Sequence, residues 1–261
     1  MGTIRVSEHD DCVFLVTIDR PGFRNAFDDR LIDAWVARLG ELAAGSPHAA
    51  VITGAGDAFC AGYDVRGIDP GQDPSQPLPD TRFERAIRAI EALPCPTIAM
   101  VNGDAFGGGV DLALSCDLCL AAPGVKLAMT PCRLGLVYSA EGVARLIAKL
   151  GGPLTRRMLL TASPIDVAEM AKAGALEIVE ERDALLPAAL ELAARIASNA
   201  PLAVRGTRET ISAVERSLAS GLTDDARALL HELRIRALQS DDLKEGLAAF
   251  RDKRPPRFEG A

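Results

Sequence analysis

An apolar run from Thr97 to Val101 stops at Asn102-Gly103. The chain then passes through Asp104-Ala105-Phe106 into Gly107-Gly108-Gly109, and an apolar segment that reads as helix follows. This stretch constrains the fold more than any other. A short, continuously apolar run bounded by turn residues reads as a strand buried on both faces. A strand that feeds a helix through a short loop is the repeating unit of a parallel sheet. Glycine has no Cβ, so another group can approach this backbone closely. The first N–H groups of the following helix have no intrahelical acceptor and carry partial positive charge. Such a place suits an anion, or an oxygen that becomes anionic during a reaction. A glycine triplet can also be a tight turn and nothing more. The G-x-G-x-x-G spacing of a dinucleotide site is absent, and no Lys-Ser/Thr follows as a P-loop requires.

A second loop of the same kind lies upstream. The short apolar strand Ala49 to Thr53 leaves into Gly54-Ala55-Gly56-Asp57-Ala58-Phe59-Cys60-Ala61-Gly62-Tyr63-Asp64. Two strand-end loops on one sheet can aim two backbone N–H groups at one point. That is an oxyanion hole built from main chain, which needs no particular side chain.

The remaining pattern is β/α-alternating for two thirds of the chain and helical at the end. Residues 3–18 alternate around Asp10-Asp11 and predict a hairpin, closed by Pro21-Gly22. A helix near 28–44 carries Leu31, Ile32, Trp35, Val36 and Leu39 on one face. Residues 67–80, with Pro70, Pro74, Pro77 and Pro79, read as a mobile surface loop. Further helices fall near 81–92 and 108–114, strands at 117–121 and 125–129, and helices at 140–150 and 153–160. Ser163-Pro164-Ile165-Asp166 has capping-box spacing and predicts a helix that starts at Pro164 and stops at Gly174. A last short strand is expected at Ile178-Val179, and from residue 183 the chain reads as helix, with Pro201 opening one segment and another spanning 222–239. The expected fold class is α/β, with a mainly parallel core over residues 1–182 and a helical region over 183–261. Its Ala/Leu-rich helices suit packing on another subunit.

Composition narrows the function. A net charge of −7 and 4% aromatic residues argue against nucleic acid or an anionic membrane as the main partner. No stretch approaches the roughly 18 apolar residues of a membrane span, and Met1-Gly2-Thr3-Ile4-Arg5-Val6 lacks the apolar core of a signal peptide. The six cysteines, Cys12, Cys60, Cys95, Cys116, Cys119 and Cys132, read as reduced thiols of a cytoplasmic protein with no zinc site and no disulfide framework. His9, His48 and His231 have no suggestive neighbours.

Several segments together carry a resemblance: Arg20-Pro21 with Arg24-Asn25-Ala26-Phe27, Gly54 to Asp64, Pro96 to Asp117, Thr161 to Asp166, and Glu245 to Arg254. In order and spacing the chain resembles the enoyl-CoA hydratase/isomerase (crotonase) family over essentially its whole length. The resemblance implies ββα units spiralling around a core, and C-terminal helices that build a homotrimer, often paired as a dimer of trimers. It implies an acyl-CoA thioester as substrate, with coenzyme A entering as part of the substrate and no other cofactor or metal. The thioester oxygen would sit between the N–H groups of Tyr63 and Gly108. Ala26, Ala61, Gly62, Asp64, Gly107 and Cys132 would line the substrate path, Arg24 would lie near the CoA moiety, and Phe250 and Lys253 would reach the CoA of a neighbouring subunit.

Hydratases of this family hold and deprotonate water with two glutamates. Asp111 stands at the first position and Cys132 at the second. A cysteine cannot replace a carboxylate as base at neutral pH without a strongly lowered pKa. Glu141 is near enough in sequence to compensate, although a solvated acid at a helix N-terminus is the stronger reading. Met129 to Ser139, Leu160 to Ile165 and Ala200 to Ala203 are similar to the methylmalonyl-CoA decarboxylase branch. That similarity implies Tyr138 beside the reacting carboxylate and Thr130 nearby. Tyr63 replaces the histidine of that branch, but only its backbone N–H is needed. Three readings stay open: a decarboxylase-type lyase, a hydratase or isomerase of a fatty or branched acyl-CoA, and a non-catalytic acyl-CoA-binding member.

Overall fold

The computed structural model describes residues 2–9, 12–69, 78–219 and 224–258. The expected turn at Asp10-Asp11, most of the expected 67–80 loop and the start of the expected 222–239 helix lie outside the described residues. Strands β1 (Thr3–His9), β2 (Val13–Asp19), β3 (Ala49–Gly54), β5 (Thr97–Val101), β7 (Leu118–Ala121) and β10 (Glu177–Ile178) form the larger sheet in that order. Only β1 is antiparallel to its neighbour there. The smaller sheet is built from β4 (Ala58–Cys60), β6 (Asp104–Phe106), β8 (Lys126–Ala128) and β9 (Ile165–Asp166). Its first three strands are parallel, and β9 runs antiparallel to β8.

The two sheets are threaded together. β3 runs on into β4, β5 into β6, and β7 into β8. Each short strand then leads towards a helix: α2 (Pro79–Glu91), α3 (Gly108–Leu114) and α4 (Ala140–Thr161) respectively. These are the ββα units that the resemblance implied. β3 and β5 are buried at every position, which is why they read as unbroken apolar runs; burial at roughly 25 cal/mol per Å² holds them in the centre of the sheet.

Between β2 and β3, α1 (Asp29–Ala44) starts where the Asp28 carboxylate accepts the Leu31 N–H at 2.9 Å. It buries Leu31, Ile32, Trp35, Leu39 and Leu42. Trp35 donates its indole N–H to the Ala86 carbonyl of α2 at 3.0 Å, and Phe27 packs edge-on against both Trp35 and Phe83 at 5.6 Å. Asn25, fully buried with φ 58°, clamps the segment before α1 to the first glycine-rich loop. Its side chain accepts from Arg20 N–H at 2.9 Å and donates to the carbonyls of Ala55 and Ala58 at 2.9 and 2.8 Å.

The two helices expected at 140–150 and 153–160 are the halves of α4, broken at Gly151 with φ 72°. The helix expected to begin at Pro164 does not begin there. Ile165 and Asp166 pair with Leu127 and Lys126 as β9, and α5 (Val167–Lys172) starts after them with the Asp166 carboxylate accepting the Ala168 N–H at 2.8 Å. Burial of Ile165 at 2% exposure against the smaller sheet outweighs the local capping signal. The last strand also starts one residue earlier than expected, at Glu177.

Four helices follow among the described residues: α6 (Leu185–Ala197), α7 (Pro201–Ala219), α8 (Asp224–Leu238) and α9 (Asp241–Asp252). α6 buries Leu185, Ala189 and Ala193 in the same core as the larger sheet. α9 docks on the turn at Pro131–Leu134, where a Cβ on Gly246 would lie 2.7 Å from the Leu134 carbonyl oxygen, so helix and turn meet backbone to backbone. No helix among the described residues is long and apolar enough to cross a membrane.

Candidate active site

The exits of β4 and β6 converge. Phe27 N–H donates to the Gly62 carbonyl and Asp64 N–H to the Phe27 carbonyl, both at 2.8 Å, so the Tyr63 N–H between them is turned away from this bridge. Gly62, with φ 81°, lies so close to the next loop that a Cβ would sit 2.7 Å from both Gly108 N and the Phe106 carbonyl oxygen. Gly107 has φ 52° and ψ −122°, a conformation that only glycine enters without strain. It donates its N–H to Ala128 at 2.8 Å and swings the chain so that Gly108 opens α3. Among the described residues no backbone hydrogen bond uses the N–H of Tyr63 or of Gly108. Two such donors, one of them at a helix N-terminus, can hold an oxygen that gains negative charge.

The junction opens on a pocket of about 90 Å³ lined by Ala61, Tyr63, Gly107, Gly108, Thr130 and Tyr138, and by apolar residues that include Ile68, Leu78, Phe83, Leu136 and Leu238. Phe83 of α2 closes directly on Gly108, where a Cβ would meet its ring at 2.6 Å. No Asp, Glu or His is among the described lining residues, and Arg234 of α8 is the one charged side chain there. The sequence reading missed Arg234, because an arginine on a remote amphipathic helix carries no motif and reads as solvated.

Behind the pocket lies an ionic node. Asp111, within the first turns of α3, is 1% exposed. Its Oδ2 accepts from the Tyr138 phenol at 2.8 Å, and Arg145 of α4 binds it bidentately, Nε to Oδ1 and Nη2 to Oδ2, both at 2.9 Å. Arg145 reaches on to Glu84 of α2 at 2.9 and 2.6 Å. Burial pulls the Arg145 pKa down, but the hydrogen bonds it donates to Asp111 and Glu84 more than reverse this, so the guanidinium lies above its ordinary value. Both Asp111 oxygens accept, Oδ1 from Arg145 and Oδ2 from Arg145 and the Tyr138 hydroxyl, which is the donor. Tyr138 lines the pocket, whereas Arg145 lines a second cavity of about 440 Å³ together with Glu141. Asp111 therefore bridges the two, and Glu141 faces the second cavity. Gly142 makes the packing feasible: a Cβ there would lie 2.3 Å from the Tyr138 ring and 2.9 Å from Asp111 Oδ2.

Tyr63, Gly107, Gly108, Ala61, Thr130 and Tyr138 are thus gathered around one space, Gly62 packs behind it, and Asp111 joins through Tyr138. The Tyr63 phenol donates to Asp29 at 3.0 Å; burial, and then Asp29, raise its pKa. The other residues singled out in the sequence stand outside the described lining. Arg24 is exposed, 5.1 Å over the Phe106 ring and 3.4 Å from Asp104. Ala26 is buried. Asp64 is held below the usual carboxylate range by Arg66, against some burial and with help from Arg20. Cys132 is exposed on the turn before Gly135, and desolvation raises its thiol, which keeps it protonated. Phe250 and Lys253 are exposed at the end of α9.

A family model described as enoyl-CoA hydratase/isomerase matches residues 8–261. The chain is 33% identical over 250 residues to 2,3-dehydroadipyl-CoA hydratase of Escherichia coli K12, covering 95% of each chain. It is 35% identical over 217 residues to carnitinyl-CoA dehydratase of Proteus mirabilis, covering 82% of each. A solved structure of methylmalonyl-CoA decarboxylase in complex with 2-nitronate-propionyl-CoA superposes with a TM-score of 0.91 at 27% identity, over 99% of each chain.

Proposed function

The chain belongs to the enoyl-CoA hydratase/isomerase family, and from that premise we propose that it is a lyase that removes CO₂ from a methylmalonyl-CoA-like thioester. One observation carries the reading: no acid or histidine lines the pocket among the described residues, and Asp111, the carboxylate bonded to the lining Tyr138, is engaged by Arg145 as well. Hydration needs a group that deprotonates water. Decarboxylation does not. The bond between the α-carbon and the carboxylate breaks, its electron pair forms the thioester enolate, and the charge moves onto the oxygen held by the Tyr63 and Gly108 N–H groups. One proton then adds to the α-carbon.

Tyr138 donates to Asp111 and offers its oxygen lone pairs to the pocket. There it orients a water that delivers this proton, and solvent replaces it. Thr130, also in the lining, supplies a second hydroxyl. The reading needs no cofactor beyond the CoA that the substrate carries. The likeness to methylmalonyl-CoA decarboxylase supports it. The relatives at 33% and 35% identity, a hydratase and a dehydratase, favour addition or loss of water instead, which here requires Asp111 to give up Arg145. The implied homotrimer, or pair of trimers, finds support in exposed Leu202, Ile211 and Val214 of α7, and the solution mass tests it.

Mass spectrometry of products from crotonyl-, methylmalonyl-, malonyl- and branched enoyl-CoA separates the readings. Loss of CO₂ from a malonyl-type thioester is expected. Gain of water on an enoyl-CoA, with malonyl types untouched, overturns decarboxylation. Binding of the panel with no turnover returns the chain to a non-catalytic role.

A further inference from the structure

We propose that Phe83 limits bulk at the α-carbon of the acyl group, so that the pocket takes thioesters unbranched or methyl-branched there and rejects larger branches. This rests on the acyl-CoA reading and adds to it a residue and a narrower substrate class. Phe83 and Gly108 line the same pocket, and a Cβ on Gly108 would meet three atoms of the Phe83 ring edge at 2.6, 2.9 and 2.9 Å. The ring is therefore seated on the residue whose N–H would hold the thioester oxygen. The α-carbon is two bonds from that oxygen, so its substituents fall beside whatever covers Gly108. Thr130 and Tyr138 bring hydroxyls to the lining. A carboxylate on the α-carbon turns to them, and the second substituent is left to the ring.

The ring has little room to retreat. Phe83 is 3% exposed, and Phe27 and Trp35 behind it are fully buried. Phe27 packs edge-on against both at 5.6 Å. Trp35 donates its indole N–H to the carbonyl of Ala86, which lies on the same helix as Phe83, at 3.0 Å. Three rings and α2 thus form a closed circuit of contacts, and moving Phe83 off Gly108 disturbs a packed core. Such a wall discriminates by size. A methylene that finds apolar room gains about fourfold in affinity, whereas one forced against fixed packing loses affinity.

Calorimetric titration with saturated acyl-CoA thioesters tests this, because they have neither a carboxylate to lose nor a double bond to hydrate or shift. Isobutyryl-CoA is the methyl-branched reference. Hexanoyl-CoA and 2-ethylbutanoyl-CoA are isomers that differ only in branching at the α-carbon. The wild type is expected to bind 2-ethylbutanoyl-CoA about tenfold more weakly than either of the others, although it carries two methylenes more than isobutyryl-CoA. F83A should abolish this penalty, and F83L, the milder change, should remove part of it. Wild-type affinity for 2-ethylbutanoyl-CoA equal to or above that for isobutyryl-CoA overturns the proposal without any variant. A penalty that hexanoyl-CoA shares overturns it too, as does one that survives undiminished in folded F83L. Binding of none of the three takes down the acyl-CoA reading along with it. Decarboxylation fails separately, when no CO₂ is released from any malonyl-type thioester, and that outcome leaves the size selection standing.

Discussion

The two faces of α3 make opposite use of one short helix. Where it starts it carries no side chains: Gly107, Gly108 and Gly109 press bare backbone against Cys60, Gly62 and Phe83, and what faces the pocket is an N–H group. Its other face carries Asp111, whose two oxygens take up the Tyr138 phenol and the Arg145 fork. The first face works by geometry, because a main-chain donor has no pKa to tune and no rotamer to lose. The second works by charge, and that charge is balanced locally before it reaches the pocket. If the proposed reaction holds, the difference makes stabilising the enolate and handling the proton separate tasks. They are fixed by separate forces and so can be broken separately.

The charged face should give the largest effect on stability. R145M leaves Asp111 as a buried, uncompensated carboxylate, and we expect a loss of about 3–5 kcal/mol in denaturant unfolding. A change within experimental error would mean that the node does not hold α2, α3 and α4 together. The backbone face should give the largest effect on rate. G108P removes one oxyanion donor, and a folded variant, checked by circular dichroism because Phe83 must shift to admit the ring, should lose about 10²–10³ in kcat. Near-normal turnover would remove the contrast altogether.

Y138F sits where the faces meet. It should lower kcat by about 10² while costing only about 1 kcal/mol of stability. An unchanged kcat on every productive substrate would confine Tyr138 to packing. The smallest effect belongs to the glycine side and appears in alkali. Burial pushes the Cys60 thiol from 9.0 up to about 12. The folded state therefore keeps a proton that the unfolded chain releases, and this contribution is full below pH 9 and is lost as pH rises towards 12. C60A should flatten that limb of the pH–stability curve, and an unaltered slope would show that other buried thiols dominate it.

The sequence made the glycine face legible and hid the charged one. β3, β5 and α3 announce themselves because a strand buried on both sides must be apolar throughout, and because three glycines before a helix are rare without a close approach. β4 and β6, each three residues long, are below the length at which any period can be read. β9 was obscured by a capping pattern that the burial of Ile165 overrides. Glu84 and Arg145 look like ordinary solvated positions on amphipathic helices, and only the packing of α2, α3 and α4 brings them to Asp111. For the same reason Asp111 could be marked as a candidate acid from its place after the glycines, while its engagement by Arg145 could not.

Gly142 gives this arrangement an evolutionary hinge. One added methyl group there would displace the Tyr138 ring and crowd the Asp111 carboxylate, although neither residue had itself been changed. The Tyr138–Asp111 contact thus depends on the volume of a residue with no chemistry of its own. A change in size alone at this position would disturb the Tyr138–Asp111 contact without touching the glycine turn at Gly107 and Gly108.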